Sequence, residues 1–257
     1  MAPSIMLAAG SLLDADPDRL VAAAAEAGYD GIGMRLSADH HMDQGPRLAF
    51  ARRVGQLGLR VHDVEVHRIT RDDVSPGPLI DAAAEIGAAH LLVVSDLADW
   101  AETEERLGSL ADQCRAAGVI PALEYMAWTL PSGPVDAIAF AEATGCVLVA
   151  DLLHHHRVGA GPAELTTIVE AGHLGWVQLC DAPAAPPADL VDEARHHRLV
   201  PGEGELPLLD LLAVVPDHAT ISVEVQSDTL SAVYRPFDRA QLLMDAALTV
   251  FDRGRRS

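Results

Sequence analysis

The sequence predicts a single (β/α)8 TIM barrel, an α/β fold spanning residues 1–257 as one domain. Three observations point to it. Short apolar runs alternate with helical patterns from one end of the chain to the other, there are eight such units, and the length of 257 residues suits one barrel of this kind.

The units follow in order. IMLA (5–8) is the first strand candidate, with a helix over 16–27 that ends at Gly28. GIGM (31–34) precedes a helix over 46–57 and Gly58, and RVHDVEV (60–66) precedes one over 77–87. HLLVV (90–94) leads into 101–117 and Gly118, and VIPALE (119–124) into 134–144 and Gly145. VLVAD (147–151) is followed by 162–171 and Gly172, WVQLC (176–180) by roughly 206–213, and ISVEV (221–225) by 237–252. Asp, Ser or Pro at several helix starts and Gly just past the ends are the expected start and stop signals. Near-continuous apolar strands mean burial on both faces, as in a parallel sheet covered by helices. An open doubly wound sheet is the alternative; unit count and length favour the barrel. Pro121 lies inside the fifth strand and is expected to cost a ladder bond. Residues 181–205 form the longest stretch without periodicity, and so long a loop in a compact barrel is usually functional.

Composition narrows the function. The net charge of −20 repels phosphate backbones, which argues against nucleic acid as a partner. No apolar run is long enough for a membrane span, and the N-terminus lacks the basic region of a signal peptide. Cys114, Cys146 and Cys180 are widely spaced and read as free thiols in a reducing cytoplasm. All 18 basic residues are arginine, so Schiff-base chemistry and a lysine-bound pyridoxal phosphate are excluded. There is no GxGxxG after the first strand, no P-loop motif and no Gly-x-Ser-x-Gly elbow.

In a parallel barrel the active site lies at the C-terminal ends of the strands. Here strand five ends in Glu124, strand six in Asp151, strand seven carries Gln178 with Asp181 just beyond, and strand eight carries Glu224. Strand three carries Asp63 and Glu65. Carboxylates gathered at one mouth repel each other unless one is protonated or a cation joins them. Glu124, Asp151, Gln178 and Glu224 offer oxygen ligands only, which suits one hard divalent ion such as Mn²⁺ or Mg²⁺. Any one of these acids alone would read as a helix cap or loop end.

The motifs LEYMAWT, ADLLHHHR, WVQLCDAP, RLVPGEGELPL and ISVEV resemble the xylose isomerase-like TIM-barrel superfamily, sugar phosphate isomerase/epimerase branch. The resemblance runs from AAAAEAGYDGIGMRL onward, over nearly the whole chain. It implies that Glu124, Asp151, Gln178 and Glu224 bind one divalent metal, and that His154 of the Asp-x-x-His motif points into the site. It also implies that Glu124 and Glu224 transfer the proton, and that the protein can form a homo-oligomer. Many sugar epimerases of the family have histidine where this chain has Gln178; glutamine is similar to the hydroxypyruvate isomerase and 3-dehydroshikimate dehydratase branches.

Around that centre, Arg35, Glu65, Trp128, Arg157 and Arg198 are the candidate substrate contacts. Guanidinium forks bind carboxylates and phosphates, so these arginines point to an anionic substrate. Their alternative role is pairing with acids such as Glu203 or Asp39. Trp128 could wall the pocket or simply pack. The three adjacent histidines cannot all converge on one ion, which weakens a zinc site built from them. His196 and His197 lie in the long loop, where closure over the mouth is the lesser reading beside plain solvation.

The expected activity is a divalent-metal-dependent isomerase or epimerase acting on a small keto-sugar or hydroxy-keto acid. A proton is removed next to a metal-bound carbonyl, giving an enediolate. Loss of a β-hydroxyl from the same intermediate would make a dehydratase. A non-catalytic binding barrel is the reading from another class. The DNA-repair endonucleases of the superfamily need more histidine ligands and a basic face, which this chain lacks.

Overall fold

Eight parallel strands close on themselves in sequence order: β1 (Ser4–Leu7), β2 (Gly31–Arg35), β3 (Arg60–Ile69), β4 (His90–Ser95), β5 (Ile120–Glu124), β6 (Val147–Asp151), β7 (Leu174–Leu179) and β8 (Thr220–Val223). β8 pairs with β1 through Ser4–Thr220 to Leu7–Val223, which completes the barrel. The computed structural model describes residues 3–36, 43–72 and 74–254.

Among the described residues the helices are α1 (Pro17–Ala27), α2 (Gln44–Gln56), α3 (Gly77–Glu85), α4 (Trp100–Ala116), α5 (Pro134–Thr144), α6 (Leu152–Arg157), α7 (Pro162–Glu170), α8 (Leu190–His196), α9 (Leu208–Ala213), α10 (Asp228–Val233) and α11 (Pro236–Gly254). All eight helices expected from the sequence are present. The short α6, α8 and α10 and a 3-10 turn at Ala9–Leu12 are additions. Local chemistry explains the boundaries. Asp16 and Asp99 accept backbone N–H bonds from Arg19 and Glu102 at the starts of α1 and α4. Gly28 ends α1 at φ 84°, a left-handed conformation that a side chain would resist.

Strand alternation builds two apolar layers. On β4, Leu91 and Val93 join the large layer under the helices, while Leu92 and Val94 join Ala122, Met126, Val149 and Trp176 in a separate cluster that fills the barrel. Leu92, Val94 and Met126 of this inner cluster form an apolar part of the wall of the cavity at the strand ends.

Pro121 does not cost the ladder bond expected of it. Ile120 N donates to Ala89 O at 2.9 Å, so the next residue faces β6, and the β5–β6 pairing begins only at Ala122 opposite Val147. The missing N–H therefore falls outside the ladder.

Candidate metal and substrate site

The four strand-end residues converge. Glu124 is the last residue of β5 and Asp151 the last of β6, Gln178 pairs with Asp151 across the β6–β7 ladder, and Glu224 follows β8 directly. All four are at least nine-tenths buried. Above them opens a cavity of about 430 Å³, lined by Glu65, Glu124, His154, Gln178, Arg198 and Glu224 among others. That volume lies toward the small end of ligand pockets and suits a small metabolite.

Asp151 does two jobs. Its Oδ1 accepts the backbone N–H groups of Leu153 (2.8 Å) and His154 (3.0 Å) and so caps α6. That cap turns the chain and brings His154 back over the strand end. Its Oδ2 accepts from Arg198 Nη1 at 2.6 Å. The Arg198 guanidinium is itself tightly held: Nε donates to Ala194 O at 2.7 Å, Nη1 to Glu224 O at 3.2 Å, and Nη1 lies 3.6 Å from Glu224 Oε2. Nη2 donates to His154 Nε2 at 3.4 Å. Arginine has no acceptor, so Nε2 is the unprotonated nitrogen of His154.

Glu124, Asp151 and His154 each offer one ligand atom, and these atoms all lie within 4.8 Å of one another. Glu124 Oε1 is 3.8 Å from His154 Nε2, and Gln178 Oε1 is buried without a hydrogen-bond partner among the described residues. Buried polar atoms are normally satisfied. These residues therefore fit a divalent cation. Glu124, Asp151 and His154 would hold it, and Gln178 and Glu224 face the same cavity. This trio includes the imidazole of His154, whereas the set expected from the sequence, Glu124, Asp151, Gln178 and Glu224, offers oxygen ligands only.

The electrostatics agree with that geometry. Burial raises the Glu124 carboxyl well above the ordinary range, helped by the charges of Asp151 and Glu224. Burial also raises Glu224, to about 7, against the opposing pull of Arg198. Asp63, buried beneath them, is raised by burial and by Glu65 and Glu224. Asp151 goes the other way: burial would raise it, but Arg198, His154 and the α6 N–H groups hold it below its usual value. Burial lowers His154 to about 4, which leaves the neutral ring that a metal requires.

Of the other candidates, Arg35, Glu65, Trp128 and Arg198 line the cavity. Arg35 Nη1 is 3.3 Å from Glu65 Oε2, and the Trp128 ring meets His154 edge-on with centroids 5.1 Å apart. Arg157 is not brought to the cavity. Its guanidinium grips Glu193 through two bonds of 2.7 Å and also donates to Pro183 O and Ala184 O, with both charged side chains buried. The expectation that it contacts substrate is corrected accordingly: it straps α8 to α6. Its partner is Glu193 and not Glu203, and Asp39 lies outside the described residues. Arg157→Ala is expected to cost about 3–5 kcal/mol, because it strands a buried carboxylate. Limited proteolysis should find new cleavage within 182–197; an unchanged pattern would mean that the strap is not needed.

Asp181 also has a structural task. Its carboxylate accepts from the backbone N–H groups of Ala182, Gly202, Gly204 and Leu206 at 2.9–3.1 Å and folds the PGEGE segment around itself. The segment 181–205 is thus an anchored loop containing α8, not an unstructured one.

Arg68, Arg195 and Gln226 line the cavity and were not singled out from sequence. Arg68 was missed because β3 runs on to Ile69, past the predicted end at 66. Arg195 was missed with α8, whose signal was present: Asp189 as cap, with Leu190, Val191 and Ala194 spaced as one helical face.

Comparison with known proteins follows the same line. Residues 21–247 match the xylose isomerase-like TIM barrel family. A 3-dehydroshikimate dehydratase of Pseudomonas aeruginosa is 27% identical over 247 residues, covering 88% of this chain but only 38% of that protein. The chain thus spans well under half the length of that curated relative. Among solved structures, the IolI protein with a bound zinc atom superposes with a TM-score of 0.82 at 17% identity, over 97% of this chain and 98% of its own. A D-allulose 3-epimerase from Methylomonas sp. gives 0.73 at 17% identity, over 98% of this chain and 100% of its own. At those identities the structural likeness speaks for the fold, and the family match covers most of the sequence. The chain belongs to the xylose isomerase-like TIM barrel family.

Proposed function

We propose that the protein is a divalent-metal-dependent isomerase or epimerase of a small keto-sugar or hydroxy-keto acid, working through an enediolate. The observation that carries this reading is the buried trio Glu124, Asp151 and His154, with ligand atoms within 4.8 Å of one another, of which Glu124 and His154 line the cavity. Burying Glu124 with a raised carboxyl costs folding energy and contributes no evident structural bond. That cost is what disfavours a non-catalytic binding barrel.

When bound, a divalent ion supplies the Lewis acidity that polarises a carbonyl and stabilises the charge of the enediolate. Mn²⁺ or Mg²⁺ suits the carboxylates, and zinc becomes a candidate once His154 belongs to the set. The chain's own residues do the rest. Glu224, titrating near neutrality, takes the α-proton at a carboxylate oxygen. Glu124 holds or returns a proton from its side of the cavity. Arg198, held between Asp151 and Glu224, offsets the charge of these two carboxylates. Trp128 walls the pocket against water beside His154.

A second reading, a dehydratase that expels a β-hydroxyl from the same intermediate, is supported by Gln178 and by the 27% identical 3-dehydroshikimate dehydratase.

The test begins with Mn²⁺ titration of chelator-treated protein, beside elemental analysis. About one ion per chain is expected, lost in Asp151→Asn. Binding should tighten as pH rises from about 6 to 8, because the raised carboxyls must lose protons to accept the ion. The same shifts set stability. Glu224 moves from an ordinary 4.5 to about 7 on folding, so its favourable contribution is full at acid pH and is lost as pH rises through 7. Metal-free protein should therefore melt lower at about pH 8 than at pH 5, and Mn²⁺ should reverse the trend. No bound metal at any pH would remove the reading. With metal bound, α-proton exchange in D₂O without water loss marks the isomerase or epimerase, and water loss the dehydratase.

A further inference from the structure

We infer that Arg195 recognises an oxyanion, a carboxylate or a phosphate, on the substrate at the rim of the cavity. The inference rests on the proposed reading of the floor as the reacting centre and adds what the far end of the substrate must carry.

The cavity lining is richer in arginine than the chain as a whole. The protein has 38 acidic residues against 18 arginines, yet the lining holds four arginines, Arg35, Arg68, Arg195 and Arg198, and three acids, Glu65, Glu124 and Glu224. The acids and Arg198 are buried, whereas Arg35, Arg68 and Arg195 retain exposure at the mouth. An acidic floor beneath an arginine rim suits a molecule with a carbonyl at one end and an anion at the other.

Three of the four arginines already have a carboxylate. Arg198 is on Asp151 at 2.6 Å, Arg68 on Asp96 at 2.6 Å and Arg35 on Glu65 at 3.3 Å. Arg195 has no ion pair or side-chain hydrogen bond among the described residues. The acids nearest it in the chain are engaged elsewhere: Glu193 with Arg157 at 2.7 Å and Asp192 with His197 at 3.0 Å. The donor fork of Arg195 is therefore open to bidentate binding of an oxyanion. It is also well placed to act. α8 is pinned by the buried Arg157–Glu193 bridge and, one residue past its end, His197 bridges to Ser227. A fork carried on a pinned helix has less freedom to lose when it closes on a ligand.

The experiment compares wild type with Arg195→Gln, both loaded with Mn²⁺, by calorimetric titration against two matched pairs. These are 3-dehydroshikimate with its methyl ester, and fructose 6-phosphate with fructose. Wild type is expected to bind at least one charged member more tightly than its neutral counterpart. Arg195→Gln should weaken that charged member about tenfold and leave the neutral one and Mn²⁺ binding unchanged. Which pair responds tells carboxylate from phosphate. Equal weakening of charged and neutral members would make Arg195 a packing residue and overturn the inference. So would Mn²⁺-loaded wild type with no preference for either charged member. If wild type binds no Mn²⁺, the metal reading fails separately, and the charged-against-neutral contrast in the metal-free protein still decides for or against Arg195.

Discussion

Replacing Arg198 by methionine is expected to destabilise the metal-free protein by about 3–5 kcal/mol, the cost of leaving a buried partner uncompensated. The pair with Asp151 is almost wholly buried, with side-chain exposures of 2% and 0%, so water cannot take over the role of the guanidinium. Arg198 also serves Glu224 O and Ala194 O, whose acceptors would lose their donor in the variant. Asp151 would respond by protonating, so the loss should be larger at pH 8 than at pH 5. The double variant Arg198→Met/Asp151→Asn should recover part of the deficit, because the stranded charge is gone. Urea midpoints read all three. A loss below about 1 kcal/mol would put the pair in the class of solvated surface bridges. Arg198 also occupies the face of Asp151 that a cation would share. Saturating Mn²⁺ is therefore expected to raise the midpoint of Arg198→Met more than that of wild type.

The second large effect is on turnover. Glu124→Gln and Glu224→Gln are each expected to lower the rate of α-proton exchange by about 10²–10⁴, the range of a general acid or base. Neither should unfold the protein. Both carboxyls are raised by burial, so a neutral amide of the same shape removes a cost rather than a support. Glu224→Gln should in addition flatten the dependence of stability on pH near neutrality. Wild-type exchange in either variant would remove that glutamate from the mechanism. A cooperative melt at or above the wild-type temperature, with exchange lost, is the expected combination.

The barrel was legible because its signals are local and repeated. Each unit pairs an apolar run with a helix marked by Asp or Pro at the start and Gly past the end, and eight repetitions override an error in any one. The strand-end rule then carried the site a long way. Glu124, Asp151, Gln178 and Glu224 stand one to a strand, and a strand has only one C-terminal end to offer. Even the Pro121 conflict resolves within this logic, since its missing N–H faces a stretch where β6 has not yet begun to pair.

Sequence alone thus determined the architecture and the acids at the barrel mouth, because backbone periodicity and strand direction decide both. Only the tertiary structure decided which arginines face the cavity. Arg157 and Arg195 lie 38 positions apart in similar surroundings of acid and histidine, yet one is locked on Glu193 and the other opens onto the mouth. Asp181 and Asp151 look alike as strand-end acids, but one is consumed by four backbone N–H groups and the other shares an arginine with the metal-site candidates. The physical reason is that a long charged side chain spends itself on whichever partner the fold brings within about 3 Å, and those partners come from distant segments that no local pattern encodes.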